Sequence, residues 1–247
     1  LSLAADLRLV NTLPEGIANL QIGPFGYARA LIADSPRVGA GTLLYALEYN
    51  HYDGPWDLAE NANRYNGMLR YHWGSGRNEY SVTGSAYWAP GWHSTDQVAE
   101  RAIDQSVIGR FGSIDPTDGG RTGRDALSFN WVRHGDDTTT ELLLYGFYYR
   151  LNLWSDFDYA LNDPVNLDQF EQVDRRFVSG GQLKQTWKSS WFGARVENTL
   201  GLQVRGDYIP DSGLDDTAAR RVLNVEVYDH IGEANAGLFG KNRIQWA

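Results

Sequence analysis

Apolar and polar residues alternate with a period of two along most of the chain. Between Tyr65 and Trp73, the positions Tyr65, Gly67, Leu69, Tyr71 and Trp73 oppose Asn66, Met68, Arg70 and His72. Between Val196 and Tyr208 the division is sharper. Val196, Asn198, Leu200, Leu202, Val204 and Tyr208 oppose Glu197, Thr199, Gln203, Arg205 and Asp207. In an extended strand successive side chains point to opposite faces, so each segment has one apolar and one polar side. Stretches at 43–51, 80–88, 127–133, 223–227 and 234–246 behave alike, whereas 143–153 is apolar on both faces. The pattern predicts strands at 16–23, 26–34, 41–51, 64–73, 79–89, 124–134, 139–153, 175–187, 194–208, 220–230 and 233–246. Most are about ten residues, the length of a tilted membrane-crossing strand.

The predicted connections alternate in length. Short ones fall at 35–40, 74–78, 134–138, 188–193 and 231–232, and long ones at 52–63, 90–123, 155–174 and 209–219. Short turns on one rim and long loops on the other characterise a transmembrane barrel, and a soluble sandwich has no reason to sort its loops by parity. Trp73, Trp88, Trp131, Trp154, Trp187 and Trp246 lie near predicted strand ends, where an interfacial aromatic girdle sits; packing between two sheets is the alternative. Inside the longest loop, Ser94 and Gln97 have capping-box spacing. Val98, Ala102, Ile103, Val107 and Ile108 follow at helical intervals up to Gly109, which predicts a short amphipathic helix.

Composition narrows the classes. The 247 residues include 9 Trp, 14 Tyr, 9 Phe and 27 Gly but one Met, a mixture suited to strands and tight turns. A net charge of −9 with scattered cations argues against a nucleic-acid surface. With no cysteine, disulfides, thiolate metal sites and cysteine nucleophiles are excluded together. The chain opens Leu-Ser-Leu and ends on Trp246-Ala247 inside an alternating segment, so the expectation is a piece of a longer polypeptide.

No catalytic constellation stands out, and the expectation is a protein that is not an enzyme and has no cofactor. His51, His72, His93, His134 and His230 never fall at metal-ligand spacing. Asp115, Asp118, Gly119 and Gly120 read as turn chemistry more readily than as a calcium loop. Asp156, Asp158, Asp163, Asp168, Glu171 and Asp174 crowd one predicted loop, either to hold it hydrated or to bind divalent ions at a lipopolysaccharide surface. The polar strand faces, with Asn66, Arg70, His72, Thr83, Ser85, Ser128, Asn130, Glu197, Thr199, Gln203 and Arg205, line either a lumen or the solvent side of a sandwich.

Several segments together resemble the TonB-dependent outer-membrane receptor family. Residues 4–10, Ala-Ala-Asp-Leu-Arg-Leu-Val, with Asn11-Thr12-Leu13-Pro14, look like the end of the family's plug entering the barrel. Residues 22–29, Ile-Gly-Pro-Phe-Gly-Tyr-Ala-Arg, look like its first barrel turn, and Tyr52-Asp53-Gly54-Pro55-Trp56 like an external loop opening. Residues 110–120, Leu161-Asn162-Asp163-Pro164-Val165 and Asp168-Gln169-Phe170-Glu171-Gln172 look like loop signatures. The resemblance implies a plug remnant over 1–14 and roughly the first half of an antiparallel, up-and-down transmembrane β-barrel over 15–247. It leaves the remainder of plug and barrel outside this sequence.

The resemblance also implies function. A receptor of this kind binds a scarce nutrient, such as an iron–siderophore complex, at its external loops in the outer membrane of a Gram-negative bacterium. It imports the ligand through a plugged barrel, driven by a TonB complex, in contact with outer-membrane lipid and lipopolysaccharide. Trp56, Trp92, His93, Tyr159 and Phe170 are the ligand-binding candidates by loop position. Two alternatives stay open: a soluble β-rich carbohydrate-binding module or glycosidase, and a passive porin-like channel.

Overall fold

The computed structural model describes residues 9–94, 100–157 and 161–246. All strands belong to one antiparallel 11-stranded sheet. In chain order they are β1 (Ile17–Ile22), β2 (Ala28–Asp34), β3 (Arg37–Val38), β4 (Gly41–Tyr52), β5 (Ala62–Ser75) and β6 (Asn78–His93), then β7 (Gly119–His134), β8 (Thr138–Ser155), β9 (Phe170–Trp191), β10 (Ala194–Ala218) and β11 (Arg221–Gln245). Each long strand pairs with its sequence neighbours, and the two-residue β3 attaches only to β4. The sheet is open: among the described residues β1 and β11 form its edges. A short helix, α1 (Glu100–Asp104), lies in the longest loop.

The register carries the two-faced pattern across the sheet without interruption. Gly41, Trp73, Tyr80, Trp131, Leu142, Leu183, Leu202 and Leu238 are successive cross-strand partners and so share one face. One residue along, Thr42, His72, Ser81, Asn130, Leu143, Gln182 and Gln203 follow on the other. The polar residues singled out by alternation therefore do share a side. The apolar face is bare: Leu127 is 61% exposed and Leu200 60%. This inverts a water-soluble domain, which buries its apolar side. A sandwich needs a second sheet over that face, and the described residues supply none.

The sheet curls toward its polar face. Arg70 of β5 and Lys241 and Arg243 of β11 line one groove of about 850 Å³, an arrangement that a flat sheet seven strands wide cannot produce. The segment before β1 enters this groove. Leu9 lines it, Asn11 accepts a hydrogen bond from Arg70 Nε at 2.9 Å, and Leu13 N donates to Ser35 Oγ at 2.8 Å. Most of the stretch read as the last plug strand, residues 4–8, lies outside the described residues.

Aromatic side chains band the apolar face. Tyr65 pairs with Trp88 near one rim, and Trp73 pairs with Tyr80 near the other, eight positions away along both strands. Tyr49 joins the first pair at 5.2 Å from Tyr65, and Tyr71 stacks on Trp73 at 5.3 Å. Trp131 and Trp187 also lie on this face by register. Trp154 does not serve the girdle: it is buried beneath the guanidinium of Arg220, 4.8 Å from its ring.

Connection length separates the rims. Residues 35–40, 76–77, 135–137 and 192–193 form one rim of short turns, and Phe192 and Gly193 both take positive φ in a two-residue hairpin. The opposite rim carries the loops 53–61, 94–118 and 156–169, together with the tight turns 23–27 and 219–220. Two expectations need correction here. The long loop expected at 209–219 is strand as far as Ala218, and the turn expected at 231–232 is the middle of β11. Pro210 cannot donate to a ladder, and it falls where the register slips between Ile209 and Ser212, so a bulge absorbs it. Gly232 pairs with Tyr208 in the ladder. The two strands expected at 220–230 and 233–246 are thus one. Of the expected helix, Glu100–Asp104 form α1, the helix does not continue to Ile108, and residues 95–99 lie outside the described residues.

Candidate functional site

The long-loop rim is built by hydrogen bonds between connections that are distant in sequence. Asp57 N donates to Phe111 O at 2.9 Å, His93 N to Glu60 O at 2.8 Å, and Ser94 N to Asp118 O at 3.1 Å. The hub is Gln169, whose side chain is fully enclosed. Its Nε2 donates to Asp115 Oδ2 at 3.0 Å, Thr117 Oγ1 at 2.8 Å and Asp118 Oδ1 at 2.9 Å. Its Oε1 accepts from Thr217 Oγ1 at 3.0 Å and Arg220 N at 2.9 Å. One amide thus ties loop 94–118, loop 156–169 and the β10–β11 turn together.

That turn is strained. Ala219 and Arg220 both have positive φ, 48° and 65°, where a side chain crowds the backbone. Arg220 is held there by Nε donating to Thr117 O at 2.5 Å and Nη2 to Asp118 O at 3.1 Å, with its guanidinium over Trp154. Burial draws the Arg220 guanidinium below its ordinary value, and the Asp118 and Asp115 carboxylates oppose that shift.

Beside this crown, a pocket of about 260 Å³ opens between β5, β6 and the first long loop. It is lined by Glu60, Ala62, Asn63, Arg64, Tyr87, Ala89, Trp92, His93 and Ser94. A bulge creates it. In β6 the register slips between Ala89 and Trp92, across Pro90-Gly91, so that Ala89 faces Thr122 and Trp92 faces Gly120. Without the slip Trp92 would share the apolar face of Trp88; with it, Trp92 shares the polar face of Tyr87 and Ala89. Gly120 is needed opposite, because a Cβ there would lie 2.6 Å from Trp92 Cζ2.

The lining is rich in donors. Its carboxylate, on Glu60, accepts Trp56 Nε1 at 2.7 Å, and Trp56 in turn packs on Phe111 at 6.0 Å. Arg64, opposite Asn50 in the ladder, has no ion-pair partner among the described residues. His93 Nδ1 is buried and has no hydrogen-bond partner among them either. A buried polar atom without a partner costs on the order of 1–3 kcal/mol unless something satisfies it.

The structure therefore brings Trp92 and His93 into one pocket and sets Trp56 one hydrogen bond behind it. Phe170 stands apart, against Phe157 at 5.5 Å, and Tyr159 lies outside the described residues. Loop reading missed Arg64, Tyr87 and Glu60. Arg64 and Tyr87 could have been found by extending the polar strand face to the rim, whereas Glu60 carries no periodic signal. Of the acidic loop residues, Asp163, Asp168 and Glu171 are turned to internal work. The Asp168 carboxylate accepts the backbone N–H of Asn162 and of Asp163 at 2.8 Å each, and Glu171 accepts Asn152 Nδ2 at 2.5 Å. The Asp163 carboxyl is held below its ordinary value by the Asn166 side-chain amide, then by the backbone N–H groups of Asn166 and Val165.

No protein-family model matches the sequence, and no curated protein matches it. Among solved structures the chain is similar to the ferric citrate transporter FecA in its unliganded form, with a TM-score of 0.73 at 9% sequence identity. The similarity covers 94% of this chain and 34% of that one, so the chain spans about a third of the transporter's length. At this identity the likeness establishes a shared β-barrel fold.

Proposed function

We propose that this chain is a section of the barrel of a TonB-dependent outer-membrane transporter, which captures a scarce nutrient at the long-loop rim and passes it along the polar face. The observation that carries this reading is the inverted polarity of the curled sheet, with a bare apolar outside banded by aromatics. Such a surface is stable against hydrocarbon and unstable against water. The segment around Asn11, hydrogen-bonded to Arg70 inside the curl, agrees with a plug leading into the barrel. The likeness to a ferric citrate transporter makes a chelated metal the first ligand to try. On this reading lipopolysaccharide meets the outer rim, TonB acts from the opposite side, and the protein transports its ligand without transforming it.

The test is uptake by cells expressing the full-length protein, with radio-iron citrate as the probe. TonB-dependent accumulation, with the protein in the outer-membrane fraction, is the expected result. Recovery of the protein in the soluble fraction would overturn the reading. Ion conductance in planar bilayers with no TonB requirement would favour a passive channel instead.

A further inference from the structure

We infer that the pocket beneath Trp92 is a carboxylate-recognition site, in which Arg64 holds the acid and the Tyr87 and Trp92 rings flank the flat body that carries it. This deepens the transporter reading, on which it rests, by giving the captured ligand a chemical class.

The cations of the polar face divide by whether they hold a carboxylate. Arg29 is paired with Glu48, Arg176 with Asp174, and Arg205 with Asp207 at 2.7 Å. In a chain with net charge −9, carboxylates are plentiful, and these three arginines have each taken one. Arg64 has not, although Glu60 lines the same pocket; Glu60 Oε1 accepts Trp56 Nε1 instead. Arg124, like Arg64, has no ion pair among the described residues; it lies across the ladder from Tyr87, and its guanidinium rests on the Phe147 ring at 4.3 Å. Two unpaired guanidinium groups therefore bracket Tyr87, at the level where a ligand entering from the long-loop rim would first meet the polar face.

The remaining lining points the same way. Tyr87 and Trp92 carry donors, and the buried Nδ1 of His93 has no partner among the described residues. A planar guanidinium matches a carboxylate with two parallel N–H donations, and aromatic side chains on either side select a flat body. About 260 Å³ accommodates a single ring bearing an acid group, and not a whole large chelate. The site therefore takes one acidic arm of a larger ligand, or a small aromatic acid.

Benzoate and its uncharged analogue benzamide separate charge from shape. Tryptophan fluorescence of the purified full-length protein, titrated with each, is expected to show benzoate binding at least tenfold tighter than benzamide. Arg64→Gln should remove that preference while leaving benzamide unchanged, and Arg64→Lys should restore part of it. Arg29→Gln, on the same face but already paired, should change neither. Equal binding of the two probes, no binding of either, or an Arg64→Gln protein that still prefers benzoate would overturn the inference. A protein that fails to import iron citrate yet binds benzoate through Arg64 would sink only the transporter reading.

Discussion

The side-chain oxygen of Gln169 accepts the backbone N–H of Arg220 at 2.9 Å, joining residues 51 positions apart at the crown of the sheet. The same amide's nitrogen reaches Asp115, Thr117 and Asp118. Because the group is enclosed, no water stands ready to replace it. Gln169→Leu keeps the volume and removes every one of these bonds. The expected cost is about 2–3 kcal/mol, confined to the crown, or a roughly 30- to 150-fold rise in loop opening. Hydrogen exchange at 115–118 and 217–220 reads it directly; unchanged protection there would show that Gln169 is not the tie.

The strained turn gives a pair of predictions opposite in sign. Ala219→Gly relaxes a left-handed backbone and should stabilise the full-length protein by up to about 1 kcal/mol. Arg220→Gly relaxes the same kind of strain but forfeits the bonds to Thr117 and Asp118 and the contact with Trp154, so it should destabilise. Urea midpoints of the two variants, taken side by side, should fall on either side of the parent.

Acid should loosen the loop at 161–169 before the strands. The Asp163 carboxyl is depressed below its ordinary value of 3.8, so its contribution is fully present above that pH and is lost as pH falls through the lower folded value. Protection of the Val165 and Asn166 amides, which donate to Asp163 Oδ1 at 2.9 and 3.0 Å, should fall relative to their intrinsic exchange rates as the pH drops below that ordinary value. Asp163→Asn should show low protection at neutral pH and little further loss on acidification.

Neighbouring residues test the two faces. Leu127→Arg puts a charge into the hydrocarbon on the membrane reading and should cost about 2–4 kcal/mol in lipid vesicles. Ser128→Arg, one residue along and turned to the polar face, should cost far less. Equal costs would mean that the apolar face does not meet lipid.

How much of this was legible beforehand follows from which interactions are periodic. The segments from Tyr65 to Trp73 and from Val196 to Tyr208 declared their faces because ladder pairing repeats every two residues, and the register keeps those faces across the sheet. The same logic failed where one residue breaks the period for a local reason. Pro210 and Gly232 look like turn residues, yet one sits in a bulge and the other in a continuous ladder. Pro90-Gly91 looked like the start of a loop, and instead it is the bulge that swings Trp92 onto the polar face. Trp92 and His93 could be suspected from their position. Their neighbours Arg64 and Tyr87 lie in strands that were expected, but nothing in the alternation says that a bulge brings Trp92 over to them. Gln169 was beyond reach, because its partners lie in loops whose meeting no alternation encodes.

The two aromatic pairs, Tyr65 with Trp88 and Trp73 with Tyr80, act as a built-in gauge. Eight positions at about 3.4 Å span roughly 27 Å along a strand, and near 20 Å along the barrel axis at a tilt of about 40°. A bilayer of that thickness is thin. In vesicles of lengthening acyl chains the rings would be dragged below the headgroups, and the sheet would have to stand more upright or thin the lipid around it. On the membrane reading, the spacing of four rings thus sets the bilayer thickness that fits the sheet, independently of any ligand.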